Sequence, residues 1–559
     1  MTRRLVVLIV GGYGTFGGRL VELLESESRL SLIVAGRSLD RAKTYCLGRS
    51  HAKATLVPAV FDRDGEVAAE LIRLQPDILV DASGPFQAYG AAPYRLVEAC
   101  IRTRTNYLDL ADGSDFVDGI GAFDVEATRA GVWILSGVSS FPVLTAAVVR
   151  SISRDMARVD AIHGGIAPSP FAGVGLNVVR AIAGYAGQRV KLKRNGRFVT
   201  GCPLTENMRF TISPPGKMPL HDTLFSLVDV PDLRALNDLW PDARTVWMGA
   251  GPVPEILHRA LIALAWLVRL GVVPSLSPLA RLFHLASNRL TWGEHRGGMF
   301  VRVRGTSPTG EPVERIWHMV AEGDDGPLIP SMAVEALVRR ALDGKTPLPG
   351  ARASLRELEL EDYQALFASR TIYTGVSENQ PTDEPLYQRI LGPAWQALPV
   401  EIRTLHAVST TTVLRGRASV ERGSNSLARM AALAFGFPKA GTDVPVSVQF
   451  DVANGIETWT RTFGNTSFRS RQFAGTGRSR ALLCERFGWL TFAMALVVER
   501  HRLALVLRRW SVLGLPLPMW LCPRSNSYET TEDGRFRFHV EISHPITGMI
   551  VRYQGWLAA

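Results

Sequence analysis

Three glycines with a characteristic spacing stand near the amino terminus, directly after a short apolar run. Gly12, Gly14 and Gly17 fit the pattern G-x-G-x-x-G, and the run from Leu5 to Val10 before them is apolar throughout. In this pattern the glycines permit a tight turn, close approach of the backbone to a pyrophosphate, and close packing of a helix on a strand. The pattern therefore predicts a dinucleotide site, in which the start of the next helix binds the phosphates. The predicted contact residues of this turn are Gly12, Tyr13, Gly14, Thr15, Phe16 and Gly17.

The residues after the second apolar run, Leu30 to Ala35, indicate which nucleotide is bound. Twenty positions beyond Gly17, where an NAD enzyme places Asp or Glu on the ribose 2′-hydroxyl, this chain has Gly36, Arg37 and Ser38. A charge-assisted hydrogen bond to a 2′-phosphate contributes about 1.5 to 3 kcal/mol, roughly ten- to a hundredfold in affinity. We therefore predict NADP as the cofactor, with NADPH preferred over NADH. The alternative is that Arg37 is a solvated residue at the start of a helix.

Proton transfer would need an acidic group near the ends of the predicted strands. Hydride transfer is the chemistry of the cofactor, so the protein has to orient the nicotinamide and supply or withhold a proton. The candidates are Tyr107, Asp109 and Asp112, with Asp112 as the first choice. Packing or helix capping is the alternative for each of them. The motifs G-x-S-x-G, H-E-x-x-H and G-x-x-x-x-G-K-[ST] do not occur in the sequence.

Short apolar runs and helical segments alternate over the first 145 residues. Six such runs separated by helices predict a doubly wound parallel sheet, with ligands at the carboxyl ends of its strands. The predicted strands are Leu5 to Val10, Leu30 to Ala35, Leu56 to Phe61, Ile78 to Val80, Tyr107 to Leu110, and Val132 to Leu135.

Several motifs in this region together resemble the saccharopine dehydrogenase-like oxidoreductases, a group that also contains trans-acting enoyl reductases of bacterial lipid synthesis. The resemblance implies that Ser83, Gly84, Pro85 and Phe86 line the cofactor beside the nicotinamide, and that Asp62 lies near the adenine. The chain departs from the family at Ala111-Asp112-Gly113, where relatives carry a Gly-Glu or Gly-Asp pair. The motifs are the glycine turn, Ala35-Gly36-Arg37-Ser38, Ser83-Gly84-Pro85-Phe86 with Tyr89-Gly90, Val97-Glu98-Ala99-Cys100, and Asn106-Tyr107-Leu108-Asp109-Leu110.

The rest of the chain is predicted to form two further domains. Residues 1–145 would be a Rossmann NADP-binding domain, 146–376 a substrate and closing domain, 377–384 a linker, and 385–559 an antiparallel β domain. The last domain resembles the bacterial domain of unknown function family 4166, and this resemblance does not indicate an activity. Its motifs are Tyr387, Leu391-Gly392, Trp395, Leu398-Pro399, Leu513-Gly514-Leu515-Pro516-Leu517-Pro518 and Arg552-Tyr553-Gln554-Gly555-Trp556.

Composition and charge restrict the partners. Five cysteines, scattered without a C-x-x-C, indicate a reducing compartment with neither a disulfide framework nor a zinc or other metal site. The apolar run after Arg3 and Arg4 is cut short by the glycine turn, so we interpret it as a strand of a cytoplasmic protein and not as a signal peptide. Residues 384–559 carry 21 Lys and Arg against 12 Asp and Glu, which is +9 of the net charge of +11. Such a surplus can serve an anionic membrane, a nucleic acid, an acidic substrate or solubility alone. Nucleic-acid binding is disfavoured.

The segment from Pro254 to Leu285 is apolar nearly all round. A bilayer span needs about 20 apolar residues, more than the nine uncharged residues between Arg259 and Arg269. Two interpretations remain open: a buried helix, or an interfacial helix that touches the inner face of a membrane or lines a lipophilic pocket. A similar pair of interpretations applies to the apolar runs Thr491 to Val498 and Leu503 to Leu507, which belong either to a sheet covered on both faces or to a pocket for a hydrocarbon chain.

Two hypotheses of function follow. The first is an NADPH-dependent reductase of an apolar substrate, such as an enoyl or keto group on a lipid or polyketide. The second is a non-catalytic NADP-binding lipid or membrane adaptor. The sequence leaves the substrate, the direction of reaction and the oligomeric state open, with a dimer among the alternatives.

Overall fold

The computed structural model describes residues 3–252, 254–378, 384–408, 411–453 and 455–558. The chain divides into two compact units. The first comprises Met1–Phe210 and Thr223–Tyr373, and the second comprises Thr211–Asp222 and Thr374–Ala559. Of the predicted linker 377–384, residues 379–383 lie outside the described part of the chain.

Parallel strands alternate with helices in the amino-terminal part of the first unit. The strands are β1 Leu5–Val10, β2 Leu30–Gly36, β3 Thr55–Val60, β4 Ile78–Asp81, β5 Asn106–Asp109 and β6 Trp133–Ser136. They lie in the order β3-β2-β1-β4-β5-β6, which is the order of the doubly wound dinucleotide-binding fold. The helices are α1 Thr15–Leu24, α2 Leu39–Leu47, α3 Val67–Leu74, α4 Arg95–Thr103, α5 Ser114–Gly119, α6 Asp124–Ala130 and α7 Thr145–Ile152. The predicted fold class of this part is confirmed.

Buried aliphatic side chains explain why these segments form a parallel sheet. In β1, Val7, Leu8 and Ile9 are fully buried, as expected for a strand that helices cover on both faces. The helix α1 begins directly after the glycine turn and buries Leu20 and Leu24. The carboxyl ends of the parallel strands therefore meet at one edge of the sheet, and the loops that follow them stand side by side.

A second, mixed sheet follows along the chain. Its strands lie in the order β10-β11-β12-β7-β13-β14-β16, and β8 and β9 form a separate hairpin. β15 instead joins the first sheet as a seventh strand beside β6. The strands are β7 Arg158–Ala167, β8 Val190–Arg194, β9 Arg197–Gly201, β10 Asn207–Ile212, β11 Leu220–Leu227, β12 Thr245–Ala250, β13 Arg296–Thr306, β14 Pro312–Glu322, β15 Gly350–Ala353 and β16 Ile372–Glu378. The helices are α8 Leu176–Tyr185, α9 Asp232–Leu239, α10 Glu255–Arg269, α11 Ala280–Arg289, α12 Ile329–Leu342 and α13 Leu360–Phe367.

The helices α10 and α11 present apolar side chains to solvent. Ala265 and Val268 are buried, but Ile256, Leu270 and Leu282 are 65%, 68% and 59% exposed. The segment is therefore not a helix enclosed in a core, which was one of the two interpretations of this apolar stretch. Among the described residues, none of the helices combines the length and the hydropathy that crossing a bilayer requires.

The second unit contains a closed antiparallel sheet. Its strands are β17 Thr412–Arg422, β18 Gly441–Ala453, β19 Ile456–Phe463, β20 Thr466–Ala474, β21 Leu483–Phe487, β22 Leu490–Glu499, β23 Arg502–Val512, β24 Leu515–Pro516, β25 Arg524–Glu532, β26 Arg535–His544 and β27 Gly548–Ala558. Ten of them close on themselves in the order β22-β21-β20-β19-β18-β17-β27-β26-β25-β23, because β23 also pairs with β22. The helices of this unit are α14 Leu386–Leu391, α15 Val400–His406 and α16 Ser426–Ala434, with a 3-10 turn at Gly392–Ala397. The predicted antiparallel domain is confirmed.

The strands β22 and β23 use both of their faces. On the outer face, Ala493, Ala495 and Ala504 pack in an apolar cluster that also includes Met218. On the inner face, Met494 and Leu505 line a cavity inside the closed sheet. The sheet is therefore covered on its outer face and lines a cavity on its inner face, and a hydrocarbon chain as the occupant of that cavity stays a prediction.

Candidate functional site

Two glycines of the turn between β1 and α1 have no room for a side chain. A Cβ atom on Gly12 would lie 2.9 Å from Ile9 O, and one on Gly17 would lie 2.3 Å from Gly11 O. The turn is held by hydrogen bonds from Gly12 N to Ala35 O at 3.0 Å and from Gly14 N to Gly11 O at 2.8 Å. Gly14 caps the amino terminus of α1 and is exposed. The first N–H groups of a helix have no partner inside it, so this turn offers donors to an anion.

Tyr13 joins the glycine turn to the end of β2. Its hydroxyl accepts a hydrogen bond from Ser38 N at 3.0 Å, and the Arg41 guanidinium lies 4.9 Å from the centre of its ring. A Cβ atom on Gly36 would lie 2.5 Å from the Tyr13 hydroxyl oxygen, which explains the need for glycine there. The side chain of Ser38 in turn caps α2 by accepting from Arg41 N at 3.4 Å.

Arg37 lies at the end of β2, where the sequence predicts it to select the nucleotide. Its side chain is exposed and makes no hydrogen bond or ion pair with the part of the chain that the structure describes. Asp62, after β3, is also exposed, and its Oδ1 accepts from Asp64 N at 3.1 Å. Arg37 is therefore free to bind an anion, and its predicted contact with a 2′-phosphate stays a prediction, as does the predicted contact of Asp62 with the adenine.

The loop after β4 is fixed by a buried carboxylate. Asp81 is fully buried and accepts hydrogen bonds from Ser83 Oγ at 2.6 Å, from Ser83 N at 3.0 Å and from the Tyr89 hydroxyl at 2.9 Å. Burial raises the pKa of Asp81, although these hydrogen bonds oppose the shift. The Phe86 ring packs against Tyr89 and Phe116, with centroids 4.8 Å and 5.1 Å away. The predicted contact residues Ser83, Gly84, Pro85 and Phe86 thus stand on a rigid loop.

Arg63 was not predicted from the sequence, yet it lies in this region. Its guanidinium stacks on the Tyr89 ring, and its side chain is only 14% exposed. Its Nε and Nη2 atoms are buried and donate no hydrogen bond to any described residue. Arg63 Nε lies 3.7 Å from Asp64 Oδ1, so the charge has a partner. The two buried donors still lack an acceptor within hydrogen-bond distance, so this position suits a ligand that brings one.

The segment that follows β7 contacts both the glycine turn and the loop after β4. Asn177 Nδ2 donates to Ser83 O and to Gly84 O, both at 3.0 Å. Gly175 lies so close to Thr15 that a Cβ atom would stand 2.8 Å from Thr15 Oγ1. Nothing in the sequence near Asn177 signals this role, because the contact spans more than 90 residues of chain.

Asp112 lies beside the β4 loop, in a small cluster of polar groups. Its Oδ1 accepts a hydrogen bond from Gln87 Nε2 at 3.0 Å. Desolvation raises the pKa of Asp112, and the nearby Asp229 carboxylate raises it further. Burial likewise raises the pKa of Asp229, which accepts a hydrogen bond from the Ser114 hydroxyl. Tyr185 lies near both carboxylates, and its pKa is raised well above its ordinary value, first by burial and then by their charges.

Tyr107 and Asp109, the other candidate acids, lie deeper. Tyr107 is fully buried in the apolar core of the first sheet. Asp109 is also fully buried, and its Oδ1 accepts from Ala111 N at 3.0 Å and from Gly137 N at 2.7 Å. Burial raises the pKa of Asp109 to about 7. These contacts give Asp109 a part in holding the ends of β5 and β6 together, so only Asp112 of the three is carried into the proposal below.

The residues present fit a pyridine nucleotide. The tightly packed glycine turn leads directly into the start of α1, Arg37 has no partner among the described residues, and Arg63 has two buried donors without an acceptor. The two arginines carry positive charge, and the N–H groups at the start of α1 can donate hydrogen bonds, as binding of a phosphorylated cofactor requires. The described residues hold no cluster of His, Cys, Asp and Glu that could bind a metal ion.

The fold and this site define the first unit as having the NAD(P)-binding dehydrogenase architecture. Residues 7–135 match the family model of the saccharopine dehydrogenase NADP binding domain, and residues 398–557 match that of a domain of unknown function, DUF4166. The chain thus joins a saccharopine dehydrogenase-type NADP-binding domain to a DUF4166 domain, which confirms both resemblances seen in the sequence. No curated protein matches the chain.

Several solved structures are partly similar to this chain. The apo histidine-tagged saccharopine dehydrogenase (L-Glu forming) from Saccharomyces cerevisiae is 15% identical, with a TM-score of 0.48 over 67% of this chain and 100% of that chain. GenD2 from gentamicin A biosynthesis, in complex with NAD, is 13% identical, with a TM-score of 0.33 over 68% of this chain and 97% of that chain. The WlbA (WbpB) dehydrogenase from Thermus thermophilus, in complex with NAD and alpha-ketoglutarate, is 12% identical, with a TM-score of 0.29 over 64% of this chain and 94% of that chain. None of these likenesses bears on the activity of this chain.

Proposed function

We propose that the first unit is an NADPH-dependent oxidoreductase that transfers a hydride to an apolar carbonyl or enoyl substrate, such as one linked to a lipid or polyketide. The observation that carries the proposal is the position of Asp112. A carboxyl group with a raised pKa stands beside the loop Ser83 to Phe86, which follows the fourth strand of a dinucleotide-binding sheet. Perturbed acids at such strand ends are typical of active sites.

The binding of the cofactor would rest on groups at the ends of β1, β2 and β4. The N–H groups of the glycine turn and of the start of α1 would hold the pyrophosphate, and the Ser83 to Phe86 loop would lie beside the nicotinamide. Arg37 and the adjacent Ser38 would bind the 2′-phosphate. When bound, NADPH supplies the hydride, and the chain's own residues orient the substrate and provide the proton.

Replacement of Arg37 by aspartate tests the choice of nucleotide. We expect Arg37→Asp to weaken NADPH binding roughly ten- to a hundredfold, because a charge-assisted hydrogen bond is replaced by repulsion. The affinity for NADH should stay within about twofold, since NADH carries no 2′-phosphate. Calorimetric titration of both nucleotides measures this. Arg129→Asp is the control, because Arg129 is an exposed arginine on α6, which packs against β6 and β15 at the other edge of the sheet. Equal affinity of the unmodified protein for NADPH and NADH would contradict the prediction.

Asp112 is the proposed proton donor. Desolvation and the charge of Asp229 keep its carboxyl protonated to a higher pH than an ordinary aspartate. A protonated carboxyl can donate to the oxyanion or carbanion that forms as the hydride is delivered. The charge of Asp229 would favour the protonated form of Asp112. The hydrogen bond from Gln87 would hold the orientation of the Asp112 carboxyl group.

The apolar surface of α10 and α11 supports an apolar substrate and contact with a membrane surface. Leu270, Val272 and Leu282 are 68%, 68% and 59% exposed. From residue 255 to residue 289 the segment carries four arginines, at 259, 269, 281 and 289, and a single acid, Glu255. Exposed apolar side chains with neighbouring basic groups favour the surface of an anionic bilayer. The protein would then work at the inner face of a membrane, as a peripheral protein.

Flotation with anionic liposomes tests this contact. We expect the protein to float with vesicles that contain phosphatidylglycerol, and Leu270→Glu to reduce the bound fraction at least about threefold, because a charge would have to be desolvated at the interface. Leu47→Glu is the matched control, since Leu47 is an isolated apolar side chain 80% exposed at the end of α2. Absence of the unmodified protein from the floating fraction would contradict the contact.

Consumption of NADPH with a panel of medium- and long-chain enones and 3-oxo esters tests the proposed activity. Turnover with an apolar member of the panel, and none with short polar analogues, is the expected result. The adaptor hypothesis expects tight binding of NADPH with no turnover of any member. That outcome would overturn the catalytic proposal while leaving the nucleotide site in place.

A further inference from the structure

The closed sheet of the second unit contains a cavity of about 170 Å³. Its walls are mainly aromatic and aliphatic, with Phe463, Phe487, Phe492, Met494, Leu505 and Phe538 among them. A water-sized group needs about 10 to 15 Å³ of such space, so the cavity holds on the order of a dozen groups of this size. That is the volume of a medium-length hydrocarbon chain. Apolar cavities of similar size stay dry and take up apolar molecules.

One end of the cavity is closed by the helices that precede the sheet. Tyr387 on α14 is fully buried and donates a hydrogen bond to Gln472 Oε1 at 3.0 Å. His406 on α15 is fully buried, with its Nε2 at 2.7 Å from Glu529 Oε2. The Tyr387 and His406 rings stack with their centroids 3.6 Å apart. These contacts seal this end with polar groups that are hydrogen-bonded to the wall.

The wall that β23 and β26 form is less buried than the closed end. Trp459 and Gln472, near the closed end, are 7% and 1% exposed, whereas Leu507, Val540 and Ile542 line the cavity and are partly exposed. The ladder between β23 and β25 covers only four pairs of residues, from Arg502 and Thr530 to Leu505 and Ser527. Beyond Leu505, β23 pairs instead with β24, and the wall parts between β23 and the start of β25.

Exposed apolar side chains stand at this gap. The segment that connects β23 to β25 carries Leu513, Leu515 and Trp520, which are 75%, 70% and 75% exposed. Trp489, in the turn between β21 and β22, is 66% exposed. Leu513 N donates a hydrogen bond to Trp489 O at 2.8 Å, and exposed apolar side chains that lie together on a folded protein mark a site of interaction. Here they adjoin the opening of an apolar cavity, so a hydrophobic ligand would meet an apolar surface as it enters.

A polar cluster on the inner wall indicates the chemistry of the ligand's end group. Arg461 Nη2 donates to Glu485 Oε1 at 2.9 Å, and Ser470 Oγ donates to the same oxygen at 2.6 Å. Glu485 Oε2 accepts no hydrogen bond from the described residues, although Glu485 lines the cavity. Arg461 balances the charge of Glu485, and Glu529 adds a second carboxylate to the lining. A ligand carboxylate would be repelled here, whereas a hydroxyl could donate to the open oxygen.

We propose that the closed sheet binds one neutral single-chain lipid that carries a hydroxyl end group, with the hydroxyl at Glu485 and the chain directed toward the gap between β23 and β25. This site is independent of the proposed oxidoreductase activity, because every residue that forms it lies in the second unit.

Binding of dodecanol to the full-length protein tests the proposal. Calorimetry should show saturable binding near one molecule per chain, and native mass spectrometry the same stoichiometry. Ser527→Trp should weaken this binding at least about tenfold, because Ser527 lines the cavity and the indole would occupy it. Asn526→Trp is the matched control: the adjacent residue is exposed, so the same indole should leave the affinity within about twofold. Absence of saturable binding, or equal losses in the two variants with unchanged melting temperatures, would overturn the proposal.

The end group is tested by comparing dodecanol with dodecanoate at neutral pH. The unmodified protein should bind dodecanol at least about tenfold more tightly, because Glu485 and Glu529 repel a carboxylate. Glu485→Gln should narrow this preference, since the amide keeps an acceptor for Arg461 and Ser470 but removes the charge. Equal or tighter binding of dodecanoate by the unmodified protein would overturn the assignment of a hydroxyl. None of these measurements involves NADPH, so they distinguish a failure of this site from a failure of the proposed enzyme.

Discussion

Replacement of Gly14 by aspartate is expected to abolish NADPH binding, with a loss of affinity of at least about a hundredfold. Gly14 caps α1 at the point where the helix presents its free N–H groups, and a carboxylate there would occupy and repel the position of the pyrophosphate. Two charges about 4 Å apart at a protein surface interact by up to roughly 4 kcal/mol, which is more than the hundredfold loss requires. Calorimetric titration of NADPH measures the effect.

The variant should still fold, because Gly14 is exposed and its φ of −85° is open to any residue. A Cβ atom there would stand 3.0 Å from Gly11 O, a tight contact that Gly14→Ala shares. Gly14→Ala is therefore the matched control, and it should retain most of the affinity. Gly17→Ala is not suitable, since its Cβ would meet Gly11 O at 2.3 Å and disturb the turn itself. If Gly14→Asp bound NADPH as tightly as Gly14→Ala, the glycine turn could not be the phosphate site.

The first sheet could be predicted from the sequence because its strands are short, unbroken apolar runs. β1 was predicted with its observed bounds, and β2 to β6 within one residue at each end. β15 could not be predicted, because its sequence GARA has no apolar run and it reaches β6 from more than 200 residues along the chain. Local patterns carry no information about a pairing of this range, which is decided by packing in the folded state.

The closed sheet of the second unit also contains strands that the sequence pattern did not predict. The patterns at 444–452, 457–463, 466–473, 491–498, 503–510, 536–542 and 549–556 predict seven of its strands, whereas β17, β21, β24 and β25 were not predicted. β17 and β25 are the longest of these four. Their sequences, TVLRGRASVER and RSNSYETTE, are rich in charged and hydroxyl side chains, because in each only one face looks inward and even that face carries small or polar residues such as Gly416 and Ser527. Without β17, β21 and β25 the sheet cannot close, so the sequence indicated an antiparallel domain and left a pocket inside it as one of two interpretations.

The candidate site also combines residues that the sequence predicted with residues that only the structure revealed. Arg37 and Asp112 could be named because they follow predicted strands, and the carboxyl ends of parallel strands meet at one edge; Ser83 was named from the family resemblance. Asp229 and Asn177 come from the other part of the first unit and reach this edge through tertiary packing. Neither stands in a motif, so their positions needed the structure. The interpretation of α10 was open for a related reason, since an apolar sequence does not say which side chains the rest of the fold will cover.

Asp112→Asn is expected to lower kcat for NADPH oxidation by about a hundred- to ten-thousandfold, the usual contribution of general acid catalysis. The asparagine keeps an acceptor for Gln87 Nε2 but has no acidic proton, so the affinity for NADPH should stay within about twofold. The same substitution at Asp115 is the matched control, because that side chain is 90% exposed and pairs with Arg234. Asp115→Asn should leave kcat unchanged.

The pH dependence separates a proton donor from a residue that only supports the fold. The raised pKa of Asp112 means that the protonated form persists above the range of an ordinary aspartate, and kcat of the unmodified protein should fall as the pH rises through that pKa. This fall of kcat at high pH is the alkaline limb of the pH profile. The limb should vanish in Asp112→Asn, leaving a low and flat profile, because the residual proton transfer would come from water. Asp229→Asn should move the limb to lower pH, since removal of a neighbouring negative charge lowers the pKa of Asp112. A variant at position 112 that kept both the rate and the limb would show that another group supplies the proton, and Tyr185, which lies close to the same two carboxylates, would be the next residue to replace.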